Sequence, residues 1–383
     1  MKSIYLDHAA STPVHPEVAE AMLKVMTEQY GNASSVHRFG RIAKRVVNGA
    51  RDIIAAQLNC RPEEIVFTSG GTESDNLALF GIASAYKDKG KHIITTAIEH
   101  HAVLHTCEEL EKQGFKVTYL PVDRFGQVNP EHVREAIADD TILISVMYAN
   151  NEVGTIQPIR EIGEIAREHG IPFHVDAVQA LGSIDISLSD LPVDLMSFSA
   201  HKINGPQGVG ALYIRRKLLI HPLLHGGLQE KKRRAGTENM AGVTGFAKAM
   251  EIAKARLGDK IASDRKLRET FIRSLEQHVG KERFVINGHP TDHLEHIVNV
   301  SFPETNTETL LMNLDMEGIA AASGSACTSG SLELSHVLEA MKLPEELLNS
   351  AVRFSFGLGN TTEDMEYTAQ KVETILQRLR NRS

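Results

Sequence analysis

The sequence predicts an α/β protein with a large domain, a mainly parallel sheet flanked by helices, and then a smaller α+β domain. Three features predict it. Short β-rich runs alternate with longer amphipathic stretches over the first two thirds of the chain, several runs are apolar almost without a break, and the order changes after about residue 255. Strands buried on both faces need near-continuous apolar runs, and helical crossovers are what join parallel strands. At 383 residues the chain also exceeds the size at which one hydrophobic core stops growing.

Taken in order, the candidate strands are EIVFTS (64–69), HIITTA (92–97), KVTYLPV (116–122), TILISVMY (141–148), IPFHVDA (171–177), DLMSFSA (194–200) and GVGALYI (208–214). Helical patterns lie between many of them. RIAKRVVNGARDIIAAQL (41–58), for example, sets Ile42, Val46, Ala50, Ile53 and Ile54 at helical spacing. Further on, two long charged helices (260–279 and 363–382) flank fewer strands, among them HIVNVSF (296–302) and VRFSFG (352–357). The expected division is a large domain over 15–255, with 1–14 and 256–383 forming a small domain that carries a cysteine loop at about 322–335.

Composition narrows the function. The formal net charge of −8 argues against nucleic acid or an anionic membrane as the main partner. Lys231–Arg234 is the nearest approach to a basic tract, and a solvated loop accounts for it. Cys60, Cys107 and Cys327 stand far apart with no C-x-x-C pair, so neither a disulfide framework nor a cysteine metal site is indicated. The opening MKSIYLDHAASTP lacks the apolar core of a signal peptide, which fits a reducing cytoplasm.

Cys327 sits in SGSACTSGS, without apolar neighbours at strand or helix period, and an exposed unpaired thiol suggests wanted reactivity. In open α/β sheets ligands bind beyond the carboxyl ends of the strands. After EIVFTS come Gly70, Gly71 and Thr72, opening a helix whose N-terminus favours an anion. After DLMSF come Ser199, Ala200, His201 and Lys202. A lysine at a buried strand end is costly unless paired or used covalently, and desolvation lowers its pKa toward that of a Schiff-base amine. After IPFHV comes Asp176, a carboxylate that wants a cationic partner. A phosphate cup, a Schiff-base lysine and a carboxylate for a pyridinium nitrogen together suggest pyridoxal 5'-phosphate.

These residues lie within an ordered set of motifs running almost end to end: YLDHAASTP, GNASSVHRFG, FTSGGTESDNLA, EHHAVL, ANNEVGTIQPI, FHVDAVQALG, MSFSAHKINGPQGVGALY, RAGTEN, SGSACTSGSLELSHVL and VRFSFG. The chain thereby resembles the class I cysteine desulfurases of the NifS/IscS type, which are fold-type I PLP-dependent enzymes. The resemblance implies that Lys202 carries the cofactor and moves the substrate's α-proton. Asp176 would face the ring nitrogen, Gln179 the phenolic oxygen, and His100 the ring itself, with His101 a weaker candidate. Gly71, Thr72, Ser199 and His201 would hold the phosphate. Thr237 would reach it from the other subunit of a homodimer. Arg353, helped by Asn151, would clamp the carboxylate of L-cysteine.

On the same resemblance Cys327 takes the substrate's sulfur as a persulfide and L-alanine leaves. The sulfur would pass to an acceptor protein, either an iron-sulfur scaffold or an enzyme of tRNA or cofactor thiolation. Ala33, Gln207, Leu228, Lys232 and Leu334 depart from the residues usual in the family, none at a catalytic position. The competing readings are a selenocysteine lyase or related PLP-dependent β-elimination enzyme, and a non-catalytic sulfur carrier. The intact set Lys202, Asp176, His100, Arg353 and Cys327 argues against the carrier.

Overall fold

The computed structural model describes residues 3–324 and 334–381. A two-residue strand β1 (Ile4–Tyr5) is followed by β2 (Ile65–Thr68), β3 (His92–Thr96), β4 (Lys116–Leu120), β5 (Thr141–Ser145), β6 (Phe173–Asp176), β7 (Leu195–Ser199) and β8 (Gly210–Ile214). These last seven form one sheet in the order β2-β8-β7-β6-β5-β3-β4. The pairings among β3, β4, β5, β6 and β7 are parallel, and β8 alone runs against its neighbours β7 and β2.

Both faces of this sheet are covered, which is why its strands read as apolar runs. Along β7 and β8 successive side chains alternate between two cores. Met196, Phe198, Ala211 and Tyr213 face one that includes Val47, Ile54 and Phe246, whereas Leu195, Leu212 and Ile214 face another with Leu77, Leu79 and Val103. The helix expected at 41–58 spans Arg38–Gln57. Its buried stripe is Ala43, Val47, Ala50 and Ile54; Ile42, Val46 and Ile53 lie at its margin, half-buried. Two adjacent apolar stripes were available, and the smaller side chains let the helix approach the neighbouring helix Met240–Ala255.

The later strands β9 (Val285–Asn287), β10 (Ile297–Ser301), β11 (Ile319–Ala320) and β12 (Ala351–Ser355) make a second layer. β12, β10 and β9 form an antiparallel sheet. The amino-terminal segment threads beside it, because β1 pairs with β11 and the Ser355 N–H donates to the Leu6 carbonyl. Helices Leu257–His278, Thr307–Met316 and Thr362–Arg380 cover this sheet. Phe271 sits at its centre with ring centroids 4.8 Å from Phe354 and 5.9 Å from Phe356. Fully burying one such ring contributes roughly 1.5–3 kcal/mol.

Candidate active site

A cavity of about 340 Å³ opens at the carboxyl ends of β6 and β7 and is closed by β12 and the segment after β1. It brings together Gly71, Thr72, His100, Asn151, Asp176, Gln179, Ser199, His201, Lys202 and Arg353. Thr237 is exposed and lies outside it. Cys327 lies outside the described residues, but Gly324, three positions before it, lines the cavity.

Lys202 ends a single 3₁₀ turn (Ala200–Lys202) that follows β7 directly. Its ammonium is half-buried and donates to the carbonyls of Ala9 at 2.5 Å and Ala10 at 2.9 Å. Asp176 ends β6 and accepts from the Val178 N–H at 2.9 Å. Burial pushes its carboxyl up to about 6, against the pull of that N–H and of Lys202. Gln179 donates to the Ala9 carbonyl at 2.8 Å.

His100 caps the helix His101–Lys112, its Nδ1 accepting from the Ala102 N–H at 3.1 Å. Burial, then Lys202, lowers its pKa to about 4, so the ring is neutral at pH 7 and its proton sits on Nε2. His101, the competing candidate, points elsewhere and stacks on His105 at 4.8 Å. His201 is likewise lowered to about 4, by burial first and then by Lys202, and its Nδ1 lies 3.2 Å from the Ser11 hydroxyl. That hydroxyl also accepts from Gln207, one of the departures, at 3.2 Å.

Arg353 is buried on β12 and held on two sides. Nη1 donates to the Asn151 carbonyl at 2.9 Å and Nη2 to Asp7 Oδ1 at 2.8 Å, whereas Nε has no partner among the described residues.

The residues fit pyridoxal phosphate. The helix Gly71–Tyr86 opens without a side-chain cap, and its first residues Gly71 and Thr72 line the cavity, so its N-terminus offers N–H groups and a positive dipole end to an anion there. Gly70 holds φ +154°, and a methyl group on Gly71 would come within 2.7 Å of the Val178 side chain, so glycine lets the helix start close against the cavity wall. A desolvated carboxylate suits a protonated ring nitrogen. The amine of Lys202 and the unpartnered Nε of buried Arg353 complete a charge pattern made for an anionic aldehyde and an amino acid carboxylate.

Several contributors escaped sequence reasoning. Asp7, Ala9 and Ala10 lie in YLDHAASTP, where only the charge of Asp7 amid small residues gave a hint. Glu99 and Glu152 are buried carboxylates within EHHAVL and ANNEVG. Glu99 accepts from Thr96 at 2.6 Å and from the Met147 N–H at 3.0 Å, and burial pushes it up to about 8. It fixes the backbone immediately before His100. Beneath Asp176, His174 bridges Ser145 at 2.8 Å and Ser197 at 2.9 Å, with Asp75 close by. Burial lowers this imidazole to about 3, leaving it neutral.

The other two thiols are inert by environment. Burial pushes Cys60 up to about 12, helped by Glu64, and pushes the fully buried Cys107 up as well.

This fold and donor set are those of a PLP-dependent enzyme, and residues 4–368 match the family model described as aminotransferase class-V. The chain is 54% identical over 382 residues to the cysteine desulfurase IscS of Methanosarcina thermophila, covering 100% of this chain and 94% of that one. Among solved structures a NifS-like protein matches with TM-score 0.93 at 40% identity, covering 98% of this chain and 100% of that one. SspA in complex with cysteine matches with TM-score 0.83 at 37% identity, covering 92% and 99%. The chain belongs to the cysteine desulfurases of the IscS/NifS type, PLP-dependent enzymes of fold type I.

Proposed function

We propose that this enzyme takes sulfur from L-cysteine onto Cys327, releasing L-alanine, and that it works as a homodimer serving a sulfur-acceptor protein in the cytoplasm. The observation that carries the assignment to Cys327 is that Gly324 lines the cavity: three extended residues reach roughly 10 Å, enough to bring the thiol to a substrate held there. In net terms the Cβ–S bond of L-cysteine breaks, a bond forms between its sulfur and the Cys327 sulfur, and the electron pair left on carbon takes a proton. One thiol and one cysteine become one persulfide and one alanine.

Pyridoxal phosphate, when bound, supplies the electron sink that loosens the α-proton and opens the Cβ–S bond to attack. Lys202 would carry it, Asp176 would face the ring nitrogen and Gln179 the phenolic oxygen, and Gly71, Thr72, Ser199 and His201 would take the phosphate. Arg353 would bind the substrate carboxylate as a charge-assisted pair, with Asn151 fixing the guanidinium through its carbonyl. His100 would lie against the ring, where its neutral state leaves Nε2–H as a donor and lets the imidazole relay protons with Lys202.

A homodimer is supported by a second cavity, about 750 Å³, lined by Ala33, Val36, Arg41, Leu228 and neighbours. Val36 and Leu228 on its rim are more than half exposed, as are Leu23, Met26 and Tyr30 on and just after the helix Pro16–Glu28, apolar surface that calls for cover. Thr237 would then serve the partner's phosphate site. A large domain over 15–255 and a small domain of 1–14 plus 256–383 would place the substrate clamp and the sulfur-carrying segment together. The acceptor would be an iron-sulfur scaffold or a tRNA-thiolation enzyme.

The test is mass spectrometry after incubation with L-cysteine alone. One added sulfur on the Cys327 peptide, with alanine in equal amount, is the expected result. Cys327→Ser should keep the cofactor and make no persulfide; sulfur found chiefly on Cys60 or Cys107 sinks the assignment.

A further inference from the structure

Glu152 has no part in the chemistry just described, yet this carboxylate-bearing residue is 2% exposed, and it follows Asn151, which lines the cavity. Burial raises its pKa, while the Ser335 hydroxyl, Arg353 and His101 pull the other way. A buried carboxylate is costly, so its contacts ought to matter. Oε2 accepts from the Ser335 hydroxyl at 2.5 Å. The Ser335 oxygen in turn accepts from the Leu338 N–H at 3.2 Å, capping the helix His336–Ala340. Its single proton is thereby committed to Glu152.

The same Oε2 abuts Gly324. A methyl group built there would stand 1.8 Å from it and 2.2 Å from Cδ, so any larger residue would displace the Glu152 carboxylate. Gly324 and Ser335 flank the stretch 325–333 on its two sides. The turn that carries Glu152 is itself rigid: Asn150 Oδ1 accepts from the N–H groups of Glu152 at 2.8 Å and Val153 at 3.0 Å, and Asn150 Nδ2 donates to the Ile98 carbonyl. Asn151 in that turn holds Arg353. One buried turn therefore touches the substrate clamp and both stems of the sulfur-carrying stretch.

We infer that Glu152 is a positioning residue for sulfur capture: by holding Gly324 and Ser335 side by side it fixes the two points from which the chain bearing Cys327 must reach the substrate. This rests on the reading of Cys327 as the sulfur acceptor. The hydrogen bond and close packing of the Glu152 side chain are with the stems, and Arg353 feels only its charge, so its loss should slow sulfur capture far more than it weakens cofactor or substrate binding.

The experiment uses holoenzyme of wild type, Glu152→Ala, Glu152→Gln, Ser335→Ala and the Glu152→Ala/Ser335→Ala double variant. Persulfide on Cys327 is followed in a single turnover, alongside steady-state kcat and KM and the change in cofactor absorbance on adding L-cysteine. Glu152→Ala and Ser335→Ala should each form persulfide at least tenfold more slowly, with KM within twofold and the absorbance change intact. Glu152→Gln keeps an acceptor oxygen and should recover most of the rate, and the double variant should be no slower than Glu152→Ala, as expected for one shared interaction. Should Glu152→Ala fail to fold, Ser335→Ala alone decides. Wild-type rates in Ser335→Ala, or a loss expressed in KM, overturn this inference alone. A wild-type enzyme that puts no sulfur on Cys327 overturns it together with the reading beneath it.

Discussion

The two walls of the cavity are built by opposite routes. The wall proposed to face the cofactor comes from strand ends and the turns after them: Asp176 closes β6, Ser199 closes β7, Lys202 follows three residues later, and Gly71 opens a helix after β2. The wall proposed to face the substrate is assembled from segments far apart in the chain. Arg353 reaches Asp7 across 346 positions and Asn151 across 202, and Glu152 reaches Ser335 across 183. The first wall is positioned by the sheet's own ladder and needs few side-chain bonds. The second depends on ion pairs and hydrogen bonds between elements, so loss of Arg353 or Asp7 should shift substrate binding, and loss of Glu152 sulfur capture, more than either disturbs the fold.

Lys202→Ala should have the largest effect. Loss of the proton-moving base alone costs roughly 10²–10⁴-fold in rate, and the covalent anchor goes with it. Retention of borohydride-trappable cofactor with full activity would refute the role of Lys202.

On the opposite wall Arg353→Ala should raise KM for L-cysteine by about thirtyfold or more, since truncating a desolvated charge pair costs roughly 2–5 kcal/mol. Asp7→Asn leaves the guanidinium in place but removes its orienting charge. A charge-assisted hydrogen bond is worth roughly 1.5–3 kcal/mol, so KM should rise about tenfold. Equal effects of Asp7→Asn and Arg353→Ala on KM, or none from either, would show that the second wall does not act as described; steady-state kinetics decide.

Asp176 gives a pH signature to the first wall. Its folded-state value of about 6 lies above the ordinary 3.8. The stability this carboxyl contributes in the apoprotein is therefore fully present below about pH 4 and lost as pH rises through 6. Asp176→Asn should raise the apoprotein Tm at pH 7.5 and leave it nearly unchanged at pH 4. Adding pyridoxal phosphate should reverse the order at pH 7.5 by protecting the wild type more. A Tm difference independent of pH would remove Asp176 as the cause.

The smallest expected effect lies away from both walls. Glu230, Lys231 and Lys232 all hold positive φ, with Lys232 at +68°. Arg51 keeps this run in place by a bidentate pair with Glu230 at 2.6 and 2.7 Å. The left-handed conformation costs a side-chain-bearing residue roughly 1–2 kcal/mol. Lys232→Gly should stabilise the protein by about 1 kcal/mol in urea unfolding without changing kcat; a loss of stability would mean that the lysine side chain matters more than its backbone.

What the sequence by itself determined is local. A strand followed at once by its polar residue carries its chemistry in a few consecutive letters, so the seven strands of the large sheet and the cavity-lining residues Gly71, Asp176, Ser199 and Lys202 were legible from apolar runs and the polar residues ending them. SGSACTSGS marked its cysteine by the absence of apolar neighbours, and Gly324 lies against the Glu152 carboxylate, which a side chain there would displace. Only the tertiary structure decided which of two apolar stripes the helix Arg38–Gln57 buries, that Asp7 faces Arg353, that the carbonyls of Ala9 and Ala10 receive Lys202, and that Glu152 joins Gly324 to Ser335. The physical reason is that a contact closed over hundreds of residues leaves no periodicity in the chain: its partners are chosen by which surfaces the two cores bring together, and that choice is made by packing.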